Sequence, residues 1–218
     1  MTRAFRLRLW HLRAWHVPRL AARVLPGVVG RVDGSAAVFL TFDDGPAPET
    51  TPALLDALGD AGAHATFFVL GERAARHPDL IRRIVGEGHA VGLHGWTHDS
   101  LWRGGFTRHR AGYERGAALV EDFTGLPVRY VRPAYGHVTP ALLAWTRARA
   151  AHVALWSAMP GDFLPGATAE GIASELRCAS APGEVVVLHE GAAVAGVVVP
   201  AVRALLATPT RPVYSALH

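Results

Sequence analysis

The sequence predicts an α/β fold carried by a parallel sheet of about seven strands. Short apolar runs rich in Val, Phe and Thr alternate with helical patterns along nearly the whole chain. That alternation implies strand–helix–strand units with helices packed over a parallel sheet. The polar residues capable of chemistry fall at or just after the C-terminal ends of those runs, the rim where the loops of a parallel barrel converge. The length of 218 residues, 50% of them hydrophobic and with no internal repeat, suits one domain with a sizeable core.

The elements follow in order. Residues 36–42 (AAVFLTF), bounded by Gly34-Ser35 and Asp43, read as a buried strand. After a loop at 46–51, residues 52–60 (PALLDALGD) place Leu54, Leu55 and Leu58 on one helical face, with Pro52 in the first turn and Gly62 as a stop. Strand 65–70 (ATFFVL) comes next. Helix 79–87 (DLIRRIVGE) has Asp79 as its candidate N-cap and Leu80, Ile81, Ile84 and Val85 on its inner face. Strand 89–93 (HAVGL), helix 108–124 and strand 128–131 continue the alternation. Helix 139–150 is capped by Thr139 with Pro140 at its first position. Strand 152–156, helix 168–179, strand 184–188 (EVVVL), helix 200–207 and a final strand at 213–214 complete the count.

Charge divides the chain in two. All 22 basic residues are arginine, against 18 acids. Residues 1–35 hold seven Arg and one acid, Asp33, for a net +6, while the remainder holds 15 Arg and 17 acids, for −2. The expected organisation is therefore a basic arm at 1–35 and a folded domain at 36–218. A nucleic-acid-binding domain would spread its basic stripe over the folded body, so nucleic acid is excluded as a partner. The arm interleaves Arg3, Arg6, Arg8 and Arg13 with Phe5, Leu7, Leu9, Trp10, Leu12 and Trp15. Two readings stay open: an arm lying on an anionic membrane surface, or a lead-in segment packing its aromatics on the domain. Its arginines interrupt the apolar core that a secretory signal needs, and it is too charged to span a bilayer. The expected location is thus cytoplasmic or peripheral to a membrane. The single cysteine, Cys178, excludes an internal disulfide framework, and oligomeric state is not readable.

Five motifs carry chemistry. In Thr41-Phe42-Asp43-Asp44-Gly45-Pro46, two carboxylates leave a strand end, where alternation points them in different directions. One can bind a metal while the other stays free as a base, although paired Asp also suits a plain turn. In His94-Gly95-Trp96-Thr97-His98, two histidines four apart after a strand can converge on one ion. Either motif alone is equally well a structural loop. Together, two His and one carboxylate form a triad that leaves coordination positions open for water and substrate. Third, Arg132 follows a strand in Arg-Pro-Ala-Tyr-Gly and suits orientation of a carboxylate or of substrate. Fourth, Asp162 follows a Pro-Gly turn. Fifth, His189 leaves a very apolar strand after Leu188; paired with Asp162 it is a candidate general acid, because a carboxylate orients an imidazolium and raises its pKa. No phosphate-binding glycine loop is present.

These motifs, in this order, resemble the polysaccharide deacetylase family, also called the NodB-homology domain or carbohydrate esterase family 4. The resemblance runs over residues 36–217. It implies a distorted, incomplete (β/α)7 barrel with parallel strands, and a metal-dependent hydrolase that removes N-acetyl groups from an N-acetylglucosamine-containing glycan, peptidoglycan or chitin-like, releasing acetate. It implies Asp43 as general base, and Asp44, His94 and His98 as ligands of one divalent ion, zinc in most members and cobalt or another ion in some. Arg132 would orient the base, Tyr135 would offer a backbone N–H to the oxyanion, and Leu188 would wall the acetyl methyl pocket. His189 would be the general acid and Asp162 the carboxylate that tunes it. The chain departs from the family's pattern at Gly95, where Ser or Thr is usual, at Ala134 in place of Pro, and at Met159 and Phe163 in place of Asp and Trp. Those departures bear on substrate and rate. A small-molecule amidase of the same fold and a non-catalytic carbohydrate-binding relative are the alternatives.

Overall fold

A computed structural model of the protein describes residues 17–209 and 212–218. In chain order it contains α1 (Val17–Val24), β1 (Val28–Val29), β2 (Phe39–Asp43), α2 (Thr51–Asp60), β3 (Thr66–Val69), α3 (Gly71–Arg76), α4 (Pro78–Gly86), β4 (Ala90–Leu93), α5 (Gly105–Thr124), β5 (Tyr130–Val131), a 3-10 turn (Ala134–Gly136), α6 (Pro140–Ala148), β6 (His152–Ala154), α7 (Ala169–Cys178), β7 (Val185–His189) and α8 (Ala195–Leu206).

The seven strands form one sheet in the order β1-β6-β5-β4-β3-β2-β7, and every ladder is parallel. Strand β2 lies between β3 and β7 and is buried along its whole length. Cover on both faces is why this strand and β7 read as continuous apolar runs rather than alternating ones. No ladder joins β1 to β7 among the described residues, so the barrel is open there. The gap is spanned by isolated bridges, Arg31 to Glu184 and Ala158 to Val186. Arg19 and Arg31 also both ion-pair with the Glu184 carboxylate.

The structure revises several sequence expectations. Seven strands are present, but the seventh is Val28–Val29, from the stretch assigned to the arm, paired with Val153 and Ala154. Residues 213–214 contribute only a bridge between Tyr214 and Val38. From Val17 onward the basic stretch therefore belongs to the folded body, and two of its arginines serve Glu184. The aromatic-rich part of the arm, 1–16, lies outside the described residues. Asp79 does not cap its helix; Pro78 starts α4 and His77 occupies the cap position. The last helix starts at Ala195 rather than at 200 and carries Pro200 within it. Burial of Val198, Ala201 and Val202 against the core holds α8 across that proline. Thr139 caps α6 as expected, and Thr168 caps α7, each accepting a hydrogen bond from a backbone N–H, of Leu142 and of Gly171. No described helix is long and apolar enough to cross a membrane.

At the opposite end of the sheet from the strand C-termini, His89 is buried with His64 beside it. Its Nδ1 accepts the Ala65 backbone N–H at 3.2 Å, and its Nε2 finds no partner. Burial and the neighbouring imidazole push its pKa down to about 4. Between that value and the ordinary 6.5, the unfolded chain takes up a proton that the folded chain refuses. Stability is therefore full above about pH 6.5 and falls as pH drops toward 4, by on the order of 2–3 kcal/mol from this group. Urea unfolding midpoints at about pH 7.5 and 4.5 check this: His89→Gln, which keeps an acceptor for Ala65, shows a smaller acid loss than the parent. An equal loss in both proteins refutes the assignment.

Candidate active site

The strand ends bring all five motifs to one cavity of about 640 Å³, lined by Asp43, Asp44, His94, His98, Tyr135, Phe163 and His189 among others. Asp43 is the last residue of β2, and Asp44 turns off the strand at φ 71. Tyr135 sits at φ 60 inside its 3-10 turn. Two non-glycine residues in the left-handed region at one cavity are the kind of local strain that collects at functional sites. Gly45 is required next to them: a Cβ there would overlap the buried Glu190 carboxyl.

Asp44, His94 and His98 each present a ligand atom, and these atoms lie within 4.8 Å of one another. The nearest Asp44 oxygen, Oδ1, is 3.5 Å from each histidine Nε2. That oxygen is buried and has no hydrogen-bond partner. His94 Nδ1 lies 2.7 Å from the Arg132 carbonyl, so Nδ1 carries the proton and Nε2 turns its lone pair to the cluster. Burial, only partly offset by Asp44, lowers the His94 pKa to about 3, which keeps that lone pair free. An orphaned carboxylate oxygen and a tautomer fixed from behind fit a divalent ion.

Asp43 faces the same space and is held from below. Arg132, fully buried, donates from Nη1 to Asp43 Oδ1 at 2.6 Å and to Thr41 Oγ1 at 2.8 Å, and from Nε and Nη2 to the carbonyls of Ala154 and Leu155. Burial raises the Asp43 pKa, while the Arg132 charge and His189 oppose that rise. Across the cavity, Asp162 accepts the His189 backbone N–H at 2.8 Å through Oδ2, and its Oδ1 lies 3.0 Å from His189 Nδ1. Burial disfavours the charged imidazole, but the hydrogen bond and charge of Asp162, aided by Asp43 and Asp44, raise its pKa to about 9. Phe163 packs edge-on against the His189 ring at 4.8 Å.

Leu188 departs from its expected place. It is fully buried in the core and does not line the cavity. Successive strand residues face opposite ways, so with His189 toward the cavity Leu188 points away. The apolar wall comes instead from Trp156, Met159, Phe163 and Val194. Gly95 is accommodated at φ 97, where its carbonyl accepts the Gly71 N–H at 2.9 Å. Sequence reasoning missed Glu190 and Arg73. Glu190 holds the loop after Asp44 through Thr50 and Thr51, and Arg73 donates to the Asp44 carbonyl at 2.9 Å. The signal for Glu190 was an acid directly after a very apolar strand.

Residues 31–154 match the family described as polysaccharide deacetylase. The chain is 34% identical over 154 residues to the peptidoglycan-N-acetylglucosamine deacetylase of Bacillus cereus, covering 71% of this chain and 56% of that one. It is 41% identical over 165 residues to the chitooligosaccharide deacetylase of a Bradyrhizobium species, covering 74% of each. Among solved structures, a peptidoglycan N-acetylglucosamine deacetylase in complex with 4-naphthalen-1-yl-N-oxidanyl-benzamide superposes with a TM-score of 0.81 at 29% identity, over 89% of this chain and 93% of that one. With the (β/α)7 half-barrel and these matches in hand, the chain belongs to the polysaccharide deacetylase family.

Proposed function

We propose that the protein is a metal-dependent hydrolase that removes N-acetyl groups from an N-acetylglucosamine-containing glycan and releases acetate. The observation that carries this reading is the orphaned Asp44 Oδ1 facing two histidine Nε2 atoms, with a buried carboxylate and a carboxylate-paired imidazole on the same cavity. Asp44, His94 and His98 would hold one divalent ion, zinc or a similar metal. Bound there, such an ion supplies polarisation of the amide carbonyl and lowers the pKa of water.

The chain's own residues supply the proton traffic. Asp43, aimed by Arg132, whose charge favours the carboxylate against burial, takes a proton from the attacking water. Water oxygen bonds to the acetyl carbon, and the carbon–nitrogen bond breaks. His189, protonated and oriented by Asp162, gives its proton to the departing nitrogen, which leaves as a free amine. Tyr135, which lines the cavity, would offer its backbone N–H to the developing oxyanion. The apolar wall of Trp156, Met159 and Phe163 suits the acetyl methyl group.

The test is acetate release from chitin oligomers and peptidoglycan fragments by metal-stripped protein, with and without added zinc or cobalt. Metal-dependent release that falls by about 10²–10⁴ in Asp43→Asn is the expected result. No release from any of these glycans by protein that binds one metal per chain overturns the reading and favours a small-molecule amidase.

A further inference from the structure

A second cavity, also of about 640 Å³, opens beside the first, and His98 and Tyr135 line both. It lies outside the proton-transfer machinery, and its chemistry differs. A row of rings leads into it from the cluster: His98 to Tyr135 at 4.5 Å, Tyr135 to His137 at 5.4 Å, and His137 to Trp102 at 3.7 Å and 9° between planes. Trp102 is 68% exposed and Tyr135 60% exposed. Leaving aromatic faces that large in water is costly for a folded chain unless something packs on them. Ser100 Oγ, 2.8 Å from His137 Nδ1, pins the ring under Trp102. The platform is thus built rigidly, as a stacking surface for a flat apolar sugar face requires.

The charge of this cavity is the more telling feature. Arg103 and Arg108 line it, both exposed, and neither has an acidic partner among the described residues. Elsewhere Arg19, Arg31, Arg76, Arg83, Arg110, Arg132 and Arg149 ion-pair with acids, whereas Arg103 and Arg108 face this cavity without doing so. Asp99 is the one acid among the lining residues, and its Oδ2 is already held by the Thr97 hydroxyl. Two guanidinium groups with no acidic partner, in a cavity that they share with a ring platform and with His98 of the ligand cluster, match a carboxylate.

We propose that this cavity seats a carboxylate-bearing unit of the glycan next to the sugar being deacetylated, so that acidic glycans of the peptidoglycan kind are preferred over neutral chitin-like ones. The proposal rests on the deacetylase reading above and names its substrate class. The carboxylate has two sources in such a glycan: the free lactyl group of muramic acid, or the stem peptide that consumes that group as an amide.

The experiment compares kcat/KM of the zinc-loaded full chain on chitotetraose, on a peptide-free GlcNAc–MurNAc tetrasaccharide, and on the same tetrasaccharide carrying stem peptides. An acidic substrate is expected to exceed chitotetraose by about tenfold at low salt, with the ratio shrinking as salt is added. In Arg103→Gln/Arg108→Gln the ratio falls to near one, and Arg103→Lys/Arg108→Lys retains part of it. The peptide-free arm winning places the carboxylate on the sugar; the peptide-bearing arm winning places it on the stem. Parity with chitotetraose in the parent, or a ratio unchanged in the Gln variant, overturns the proposal. If no glycan releases acetate, the deacetylase reading fails by itself. Calorimetric binding of the same three glycans then decides the cavity: an acidic preference lost in the Gln variant supports it, and equal affinities overturn it.

Discussion

An Arg132→Met chain is expected to lose about 3–5 kcal/mol of stability and to be almost without deacetylase activity. Arg132 is fully buried beneath the cavity, with the Phe68 ring 4.0 Å from its guanidinium carbon. Its donors serve a carboxylate, a hydroxyl and two backbone carbonyls. Methionine fills the volume but leaves Asp43, 3% exposed, as a buried carboxylate without its guanidinium partner. Folding then costs the desolvation of that charge, or Asp43 takes up a proton and ceases to be a base. Lysine does not rescue, because one ammonium cannot reach partners arranged around a planar fork. Urea unfolding with unchanged slope measures the loss. Asp43→Asn added to Arg132→Met restores part of the stability, since the uncompensated charge is gone, and this non-additivity is the signature of the pair. A stable Arg132→Met chain would show that the guanidinium does not hold Asp43.

The second large effect is on pH dependence. Asp162→Asn removes both the charge and the carboxylate hydrogen bond that keep the His189 pKa at about 9. Burial, which favours the neutral ring, then faces only the charges of Asp43 and Asp44, so the His189 pKa falls. On the metal-free chain this is read directly as an NMR titration of the His189 ring in parent and variant. In the loaded enzyme the alkaline limb of kcat/KM moves to lower pH, and above it each further unit costs about tenfold, because the leaving nitrogen then lacks its proton donor. The same linkage has a stability sign. A raised imidazole pKa stabilises the fold fully below about 6.5, and that contribution is lost as pH climbs through about 9. The variant therefore flattens the alkaline fall in stability as well. An unmoved alkaline limb in Asp162→Asn assigns the proton to another group.

Much of this site is legible in the order of residues because each half of it is local. Asp43 and Asp44 end one strand, and His94 and His98 follow another by a spacing that lets two imidazoles meet. The caps at Thr139 and Thr168 are equally local, since a hydroxyl reaches an N–H three residues on. Leu188 was misplaced because the strand runs apolar on both faces, so composition cannot say which face meets the cavity. Glu190 and Arg73 escaped because their partners, Thr50, Thr51 and the Asp44 carbonyl, are near in space but distant along the chain.

The sequence alone determined the alternation of strands and helices, the parallel sheet that follows from it, and the residue types able to bind an ion and move protons at the strand ends. Tertiary structure alone decided which strand closes which edge, because pairing Val28 with Val153 leaves no mark in either segment. It also decided that Arg132, in a turn after β5, reaches Asp43 at the end of β2, and that Arg103 and Arg108 line a cavity beside the Asp44, His94 and His98 cluster. Periodicity and spacing report contacts within a few residues. The long-range contacts that build a cavity are set by how whole elements pack, and no short stretch of sequence records them.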